Sequence, residues 1–129
     1  MKVLLVDDMR AMVAALKNAI VGFRSDINVL TATTRLEVDQ ALDQNPDIDY
    51  VFLDLKMPGL SHYELLDLAV ARLSKADVWV LSGSRSASES EAVRMHGATG
   101  YIEKSASMEM FDEVFDILSR PSKTGDFRP

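Results

Sequence analysis

The stretch YVFLDLKMPG, residues 50–59, carries the clearest signals for both the fold and the function of this 129-residue chain. Its first four residues are continuously apolar, as expected of a strand that is buried on both faces of a parallel sheet. Asp54 follows this run at once, and the Pro58-Gly59 pair behind it is typical of a turn. A carboxylate is costly to desolvate, so a reactive role explains its place at the mouth of a buried strand better than a structural one.

Two other apolar runs are also followed by charged residues. Residues 2–6 lead into the pair Asp7 and Asp8, and residues 98–102 are followed within two positions by Lys104. The carboxyl ends of parallel strands lie along one edge of the sheet, where open α/β folds place their ligand crevice. We therefore expect three carboxylates and one lysine to share a single cleft.

Composition narrows the class of protein. The length suits one domain with one hydrophobic core, and 47% hydrophobic with 26% charged residues is typical of a globular protein. The net charge of −6 argues against direct nucleic-acid binding. There is no cysteine, hence no disulfide framework or thiolate metal site. The first apolar run is too short for an export signal and no segment reaches membrane-spanning length, so we expect a cytoplasmic protein without a membrane partner.

Short apolar runs alternate with helical patterns five times along the chain. The predicted strands are residues 2–6, 27–32, 50–53, 77–81 and 98–102. Strands separated by helices imply right-handed crossovers and a parallel sheet covered on both faces. The sequence therefore predicts a doubly wound, five-stranded α/β domain with helices on both faces. We assign it residues 1–119, and residues 120–129, bracketed by prolines, are predicted to be a tail or an interdomain linker.

Helical periodicity and capping signals define the segments between the strands. The first helix has the apolar stripe Met9, Met12, Val13, Leu16, Ile20 and Phe23, and the last has Met108, Phe111, Phe115 and Leu118. Capping boxes predict helix starts at Thr34 with Glu37, Ser61 with Glu64, and Ser86 with Glu89. Asn45-Pro46 and Gly97 are predicted to end the second and fourth helices. The fourth helix, residues 86–96, is thinly apolar.

The predicted cleft suits phosphoryl chemistry. Like charges ~4 Å apart repel by roughly 4 kcal/mol at an effective dielectric constant of ~20, so Asp7, Asp8 and Asp54 together need a cation or raised pKa values. Oxygen ligands without histidine or cysteine favour Mg²⁺. A carboxylate beside Mg²⁺ is a plausible nucleophile towards phosphorus, which would make Asp54 an aspartyl-phosphate. Lys104 and the hydroxyl of Ser82, which ends the fourth strand, would contact phosphoryl oxygens.

Each of these residues also has a plain structural interpretation. Asp8 could be only the N-cap of the first helix, Lys104 only a solvated charge, and Ser82 only a turn residue. Functional side chains at four strand ends are hard to explain by chance, which favours a shared site.

These residues carry a resemblance to the receiver domain of bacterial two-component response regulators, which extends over residues 2–119. The resemblance implies a flavodoxin-like fold with strand order 2-1-3-4-5 and Asp54 as the acceptor of a phosphoryl group from a histidine kinase or a phosphotransfer protein. It also implies roles for the other matching positions: Mg²⁺ held by Asp8, Asp54 and the backbone carbonyl of Lys56, with Asp7 acting mainly through water; phosphoryl oxygens held by Ser82 and Lys104; and Tyr101 as the aromatic switch residue.

A phosphoryl group brings nearly two negative charges and three acceptor oxygens, which Ser82 and Lys104 can contact only when they are present. This difference can shift a conformational population. We expect the output to fall on the face formed by helix 4, strand 5 and helix 5, towards a partner protein, an output domain or a phosphorylation-dependent homodimer.

The chain departs from the family pattern at a few positions. Ser105 replaces the usual proline after Lys104, so a cis bond there would cost ~3 kcal/mol, and a trans Lys104-Ser105 peptide is expected. Lys56 and Ser84 occupy positions that tune phosphoryl lifetime in the family, and Lys56 is predicted to point to solvent. The remaining marked side chains, His62, His96, Trp79 and the methionines of the first and last helices, are predicted to be structural.

Two other functions are compatible with part of this pattern. Phosphatases of the haloacid dehalogenase type also use a strand-end aspartate with Mg²⁺, but they need a second acid where this chain has Lys56, and their nucleophile lies on the first strand. A receiver that binds partners without phosphorylation is the stronger alternative, because Ser105 breaks the pattern. Since the chain contains no effector, it could act alone or precede an output domain, and the residues after Lys104 resemble receivers that precede a helix-turn-helix domain.

Overall fold

The computed structural model describes residues 1–83, 86–104 and 108–119. The strands are β1 (Lys2–Val6), β2 (Asn28–Ala32), β3 (Tyr50–Asp54), β4 (Asp77–Ser82) and β5 (Gly100–Glu103). The helices are α1 (Arg10–Phe23), α2 (Arg35–Gln44), α3 (Glu64–Arg72), α4 (Ala87–Met95) and α5 (Met108–Leu118). The predicted strands agree to within two residues at each end.

All strand pairs are parallel, in the order β2-β1-β3-β4-β5. The predicted doubly wound, flavodoxin-like fold is therefore confirmed. Every residue of β3 and β4 is buried, as their continuous apolar sequences require. Alternate side chains of the strands pack into two cores on opposite faces of the sheet. One core is shared with α2, α3 and α4, and the other with α1 and α5. Within the described part of the chain, no helix is long and apolar enough to cross a membrane.

Helix ends follow the predicted capping in part. The side chains of Thr34 and Ser86 accept hydrogen bonds from the backbone N–H groups of Glu37 and Glu89, as predicted. Ser61 was expected to cap α3, but that helix begins after Tyr63, and the prediction of its start is wrong. The reason is that Ser61 and the Glu64 carboxylate bond each other across a turn that precedes the helix.

Gly97 ends α4 as predicted, since it has a φ of +95° that glycine adopts without strain. Its N–H bonds the carbonyl of Arg94, and the N–H of Ala98 bonds that of Val93. These two bonds form a Schellman motif.

The predicted apolar stripes need two corrections. In α5 the buried residues are Met110, Val114, Ile117 and Leu118. The predicted members Phe111 and Phe115 lie half-buried at the side of this face, and Phe115 stacks on Phe23 of α1 with ring centroids 4.6 Å apart. Periodicity alone did not separate the face towards the sheet from the face towards the neighbouring helix. Met9, Phe23 and Met108 are exposed rather than core residues, whereas Trp79 is buried as predicted.

Candidate functional site

Strand order and register bring the predicted site residues to one edge of the sheet. In the pairing of β1 with β3, Val6 lies opposite Leu53, so the next residues, Asp7 and Asp54, are neighbours. β5 lies beyond β4, and the residue after it, Lys104, reaches back over the edge to both carboxylates. Residues more than forty positions apart in sequence therefore meet in the predicted cleft.

Three carboxylates form a cluster at this edge. Asp7, Asp8 and Asp54 each offer a carboxylate oxygen, and these oxygens lie within 4.8 Å of one another. Asp7 and Asp54 are buried, whereas Asp8 is exposed and opens the cluster to solvent.

The two buried carboxylates are oriented in the same way. Asp54 Oδ1 accepts the N–H of Lys56 at 3.1 Å, and Asp7 Oδ1 accepts the N–H of Met9 at 3.0 Å. Each carboxylate therefore closes a turn with the backbone two residues on. The second oxygen of each, Oδ2, is turned towards Lys104.

Lys104 supplies the positive charge that the cluster needs. Its ammonium Nζ lies 2.6 Å from Asp7 Oδ2 and 3.0 Å from Asp54 Oδ2, and its side chain is only 13% exposed. Burial lowers the pKa of this ammonium, but the neighbouring carboxylates of Asp7 and Asp54 together outweigh burial, and the pKa is raised overall. The lysine is therefore fully charged at neutral pH.

The donor set fits a hard divalent cation. Carboxylate oxygens are the ligands that Mg²⁺ prefers. Despite its distance of 2.6 Å from the ammonium, buried Asp7 Oδ2 receives no well-oriented hydrogen bond from the described residues. An oxygen left in this state can turn to a metal or its water without losing a good hydrogen bond.

Ser82 and Tyr101 lie where the sequence predicted. Ser82 is the last residue of β4, and its carbonyl accepts the N–H of Lys104. Among the described residues, no hydrogen bond joins its hydroxyl to the side chain of Asp54 or Lys104. Tyr101 is 1% exposed and belongs to the core under α2, α3 and α4.

Several predictions at the site have a different or an untested outcome. The N-cap of α1 is Met9, and it is Asp7 that bonds the N–H of Met9, so the structure does not support Asp8 as a cap. Lys56 is exposed, as predicted. The Lys104-Ser105 peptide and the lifetime-tuning position Ser84 fall outside the described residues, as does the predicted tail, residues 120–129.

Sequence reasoning missed two features near the site. It assigned Lys104 to an incoming phosphoryl group and did not foresee that the same ammonium neutralises the carboxylates beforehand; opposite charges at neighbouring strand ends were the available signal. It also missed the exposed Met9, whose sulfur lies 3.8 Å from Lys104 Nζ. Nothing in a helical stripe distinguishes a residue at the rim of the site from a core residue.

Residues 3–116 match the family model of the response regulator receiver domain, so the chain belongs to this family. Over 82 residues it is 35% identical to the transcriptional regulatory protein NatR of Bacillus subtilis (strain 168). That match covers 64% of this chain and 35% of NatR. The matched segment is thus about a third of this relative's length.

Solved receiver structures share the fold. The phosphorylated cyanobacterial phytochrome response regulator RcpA superimposes with a TM-score of 0.79 at 26% identity, covering 94% of this chain and 96% of that one. CheY in the CheX-CheY-BeF3-Mg²⁺ complex from Borrelia burgdorferi gives 0.77 at 23% identity, with 93% and 90% covered. The second likeness is evidence for the fold alone.

Proposed function

We propose that this chain is the phosphoacceptor module of a two-component response regulator, with Asp54 as the residue that accepts the phosphoryl group. The observation that carries the proposal is the Asp7–Lys104–Asp54 arrangement beside exposed Asp8. It combines a nucleophile, a cation for phosphoryl oxygens and an acidic ligand set in one cleft. Family membership and the phosphorylated state of the relative RcpA support the same function.

In the proposed reaction, a carboxylate oxygen of Asp54 attacks the phosphorus of a phosphohistidine on a histidine kinase or a phosphotransfer protein. An O–P bond forms, the P–N bond of the donor breaks, and the leaving imidazole retains the electron pair and takes a proton from solvent. The N–H of Lys56 holds Asp54 Oδ1 in place during this exchange. Lys104 moves its ammonium from Asp54 Oδ2 to a phosphoryl oxygen, which offsets the new charge.

Magnesium would be held by Asp8, Asp54 and the Lys56 carbonyl, with Asp7 acting mainly through water, and would neutralise charge on the transferring group. Exposed Asp8 provides the open side of the cluster, and Asp7 Oδ2 provides a buried acceptor without a well-oriented donor. The receiver in the Borrelia burgdorferi complex has both BeF3 and Mg²⁺ with it, which supports the assignment.

The proposed output is a conformational switch. Once phosphoryl oxygens are present, the hydroxyl of Ser82 gains a partner that it lacks among the described residues, and Tyr101 in the adjacent strand follows it. The affected surface is the α4–β5–α5 face. This face would contact a partner protein, an output domain or a second copy of the chain. We also propose a cytoplasmic location and a helix-turn-helix output domain outside these residues.

On this proposal the module signals and does not turn over external substrates; its own chemistry is limited to gaining and losing the phosphoryl group. Lys56 stands where a haloacid-dehalogenase-type phosphatase needs its second acid, and Asp54 lies on the third strand. Both observations disfavour the phosphatase.

The decisive test is intact mass after incubation with acetyl phosphate, with and without Mg²⁺. We expect one added phosphoryl group that requires Mg²⁺ and is lost in Asp54→Asn. The matched control is Asp77→Asn, because Asp77 is a buried aspartate at the opposite edge of the sheet. Labelling that persists in Asp54→Asn would refute the acceptor. No adduct and no beryllofluoride binding in a folded, Mg²⁺-binding protein would instead favour the phosphorylation-independent module.

A further inference from the structure

Helix α4 is attached to the rest of the domain by very little apolar surface. Val93 is its only buried residue, whereas α3 and α5 bury three and four. An element with few buried apolar contacts opens at low free energy. Its position therefore depends on polar contacts to a larger degree than the positions of α3 and α5.

The first half of α4 is held to the α3 side by Glu89. One carboxylate oxygen, Oε1, lies 3.0 Å from His62 Nε2, and the other, Oε2, accepts the hydroxyl of Tyr63 at 3.0 Å. The backbone N–H of Glu89 bonds the Ser86 hydroxyl. The main chain of Glu89 is thus tied to the Ser86 cap of its own helix, while its side chain reaches the start of α3.

The other end of α4 is held by His96. Its Nδ1 lies 2.7 Å from Asp67 Oδ1 of α3, and its ring stacks on Tyr63 with centroids 4.3 Å apart and planes 19° apart. The next residue, Gly97, approaches α3 so closely that a Cβ there would lie 3.0 Å from Val70 Cγ1. Close backbone packing and a polar pair therefore fix the same end.

Tyr63 is the centre of these contacts. It bonds Glu89, stacks on His96 and meets the edge of His62. It also packs against the core cluster that contains Tyr101. Burial, the bond to Glu89 and the nearby Tyr101 all raise the pKa of the Tyr63 hydroxyl, which therefore stays a hydrogen-bond donor at neutral pH.

We propose that these five residues, His62, Tyr63, Asp67, Glu89 and His96, form a latch that holds α4 against α3 and sets how readily phosphorylation of Asp54 switches the α4–β5–α5 face. The inference rests on the proposed function. Because the latch contacts exist only while α4 lies against α3, they stabilise the unphosphorylated arrangement, and a population shift must overcome them. The latch residues are positioning residues, since none of them touches the reacting atoms.

The latch contacts are strong enough to shift the equilibrium between the two arrangements of the α4–β5–α5 face and too weak to prevent the change. The polar side chains of the latch are partly exposed, with 21% for Glu89, 36% for His96 and 55% for Asp67. Polar contacts between partly exposed side chains are individually weak, so removing one latch contact should change the switch equilibrium by about threefold to tenfold. Two contacts centred on Tyr63 are expected to be non-additive.

Two variants and one control separate the latch from general destabilisation. Tyr63→Phe removes the hydroxyl bond to Glu89 and keeps the ring, and His96→Gln removes the ring stack. Arg94→Gln is the control, because Arg94 pairs with Glu91 within α4 and not with α3. All are compared with wild type for amide hydrogen exchange across α4 and for the beryllofluoride midpoint in the presence of Mg²⁺.

The expected result is faster exchange in α4 and a beryllofluoride midpoint lowered by about threefold to tenfold in both latch variants, with the control unchanged. Unchanged α4 exchange in both variants would overturn the latch. Faster exchange with an unchanged midpoint would overturn its coupling to the switch. A wild type that binds no beryllofluoride would refute the proposed function and the coupling with it, while hydrogen exchange still decides whether the latch exists.

Discussion

Replacing Lys104 by methionine should tighten Mg²⁺ binding, although it removes a residue of the site. The ammonium lies 2.6 and 3.0 Å from two of the carboxylates that would bind the metal. It therefore competes with the ion for the same oxygens and repels it. Methionine is unbranched like lysine and only one heavy atom shorter, and it lacks the positive charge.

The size of the effect follows from Coulomb's law. A unit charge and a divalent ion ~6 Å apart repel by about 1.4 kcal/mol even at the dielectric constant of water, which is about tenfold in affinity. Lower effective dielectric constants only increase this figure. Without metal, Lys104→Met leaves the three carboxylates uncompensated, so its free energy of unfolding should fall by about 1–3 kcal/mol.

Isothermal titration calorimetry with Mg²⁺, at one ionic strength, measures the affinity, and urea unfolding in a chelator measures the stability. Lys56→Met is the matched control, because Lys56 lies two residues from Asp54 but is exposed. We expect the control to change Mg²⁺ affinity by less than about threefold. Equal or weaker Mg²⁺ binding by Lys104→Met would refute the reasoning, because it would show that the ammonium does not compete with the ion.

Three further predictions concern stability. Gly97→Ala should lower the free energy of unfolding by about 1–2 kcal/mol in urea, since φ is +95° and the new Cβ would lie 3.0 Å from Val70; Gly22→Ala, in open space on α1, should raise it by up to about 1 kcal/mol. Phe115→Ala should lower the free energy of unfolding by about 1–3 kcal/mol through loss of the stack on Phe23. The same substitution should cost less in a Phe23→Ala background, and simple additivity of the two changes would argue against the stack. The stabilisation by Lys104 should be equal at pH 7 and pH 9. Its pKa is raised in the folded state, so its contribution to the free energy of unfolding is lost only as the pH rises through that raised value. If the difference in stability between wild type and Lys104→Met fell between pH 7 and pH 9, the assigned ion pairs would be contradicted.

The strand-end pattern was readable from the sequence because it is local. Continuous apolar runs such as residues 50–53 can only be strands or short buried helical segments, and the capping and turn residues around them decide between the two. Asp54 therefore had a predictable place at the end of β3, and parallel strands placed Asp7 and Lys104 on the same edge.

The orientation of groups within the site was not readable in this way. Which oxygen of Asp54 faces Lys56 and which faces Lys104 depends on the register of three strands and the path of two loops. The expected crowding of carboxylates is relieved in part by Lys104, a contact between residues 50 positions apart.

The contacts of the α3–α4 latch could not be predicted from the sequence either, because they join residues that are far apart along the chain. The sequence predicts structural roles for His62 and His96, since neither has a partner at ligand spacing along the chain. Their partners, Glu89 and Asp67, lie 27 and 29 positions away on another helix.

The sequence by itself determined the order of the elements, the parallel sheet and the set of residues at its carboxyl edge, because hydrophobic periodicity and turn chemistry act over a few neighbouring residues. Only the tertiary structure decided which face of α5 is buried, how the Lys104 ammonium sits between the carboxylates of Asp7 and Asp54, and which contacts hold α4 in place. These depend on contacts between distant segments, whose geometry is set when helices pack on the finished sheet.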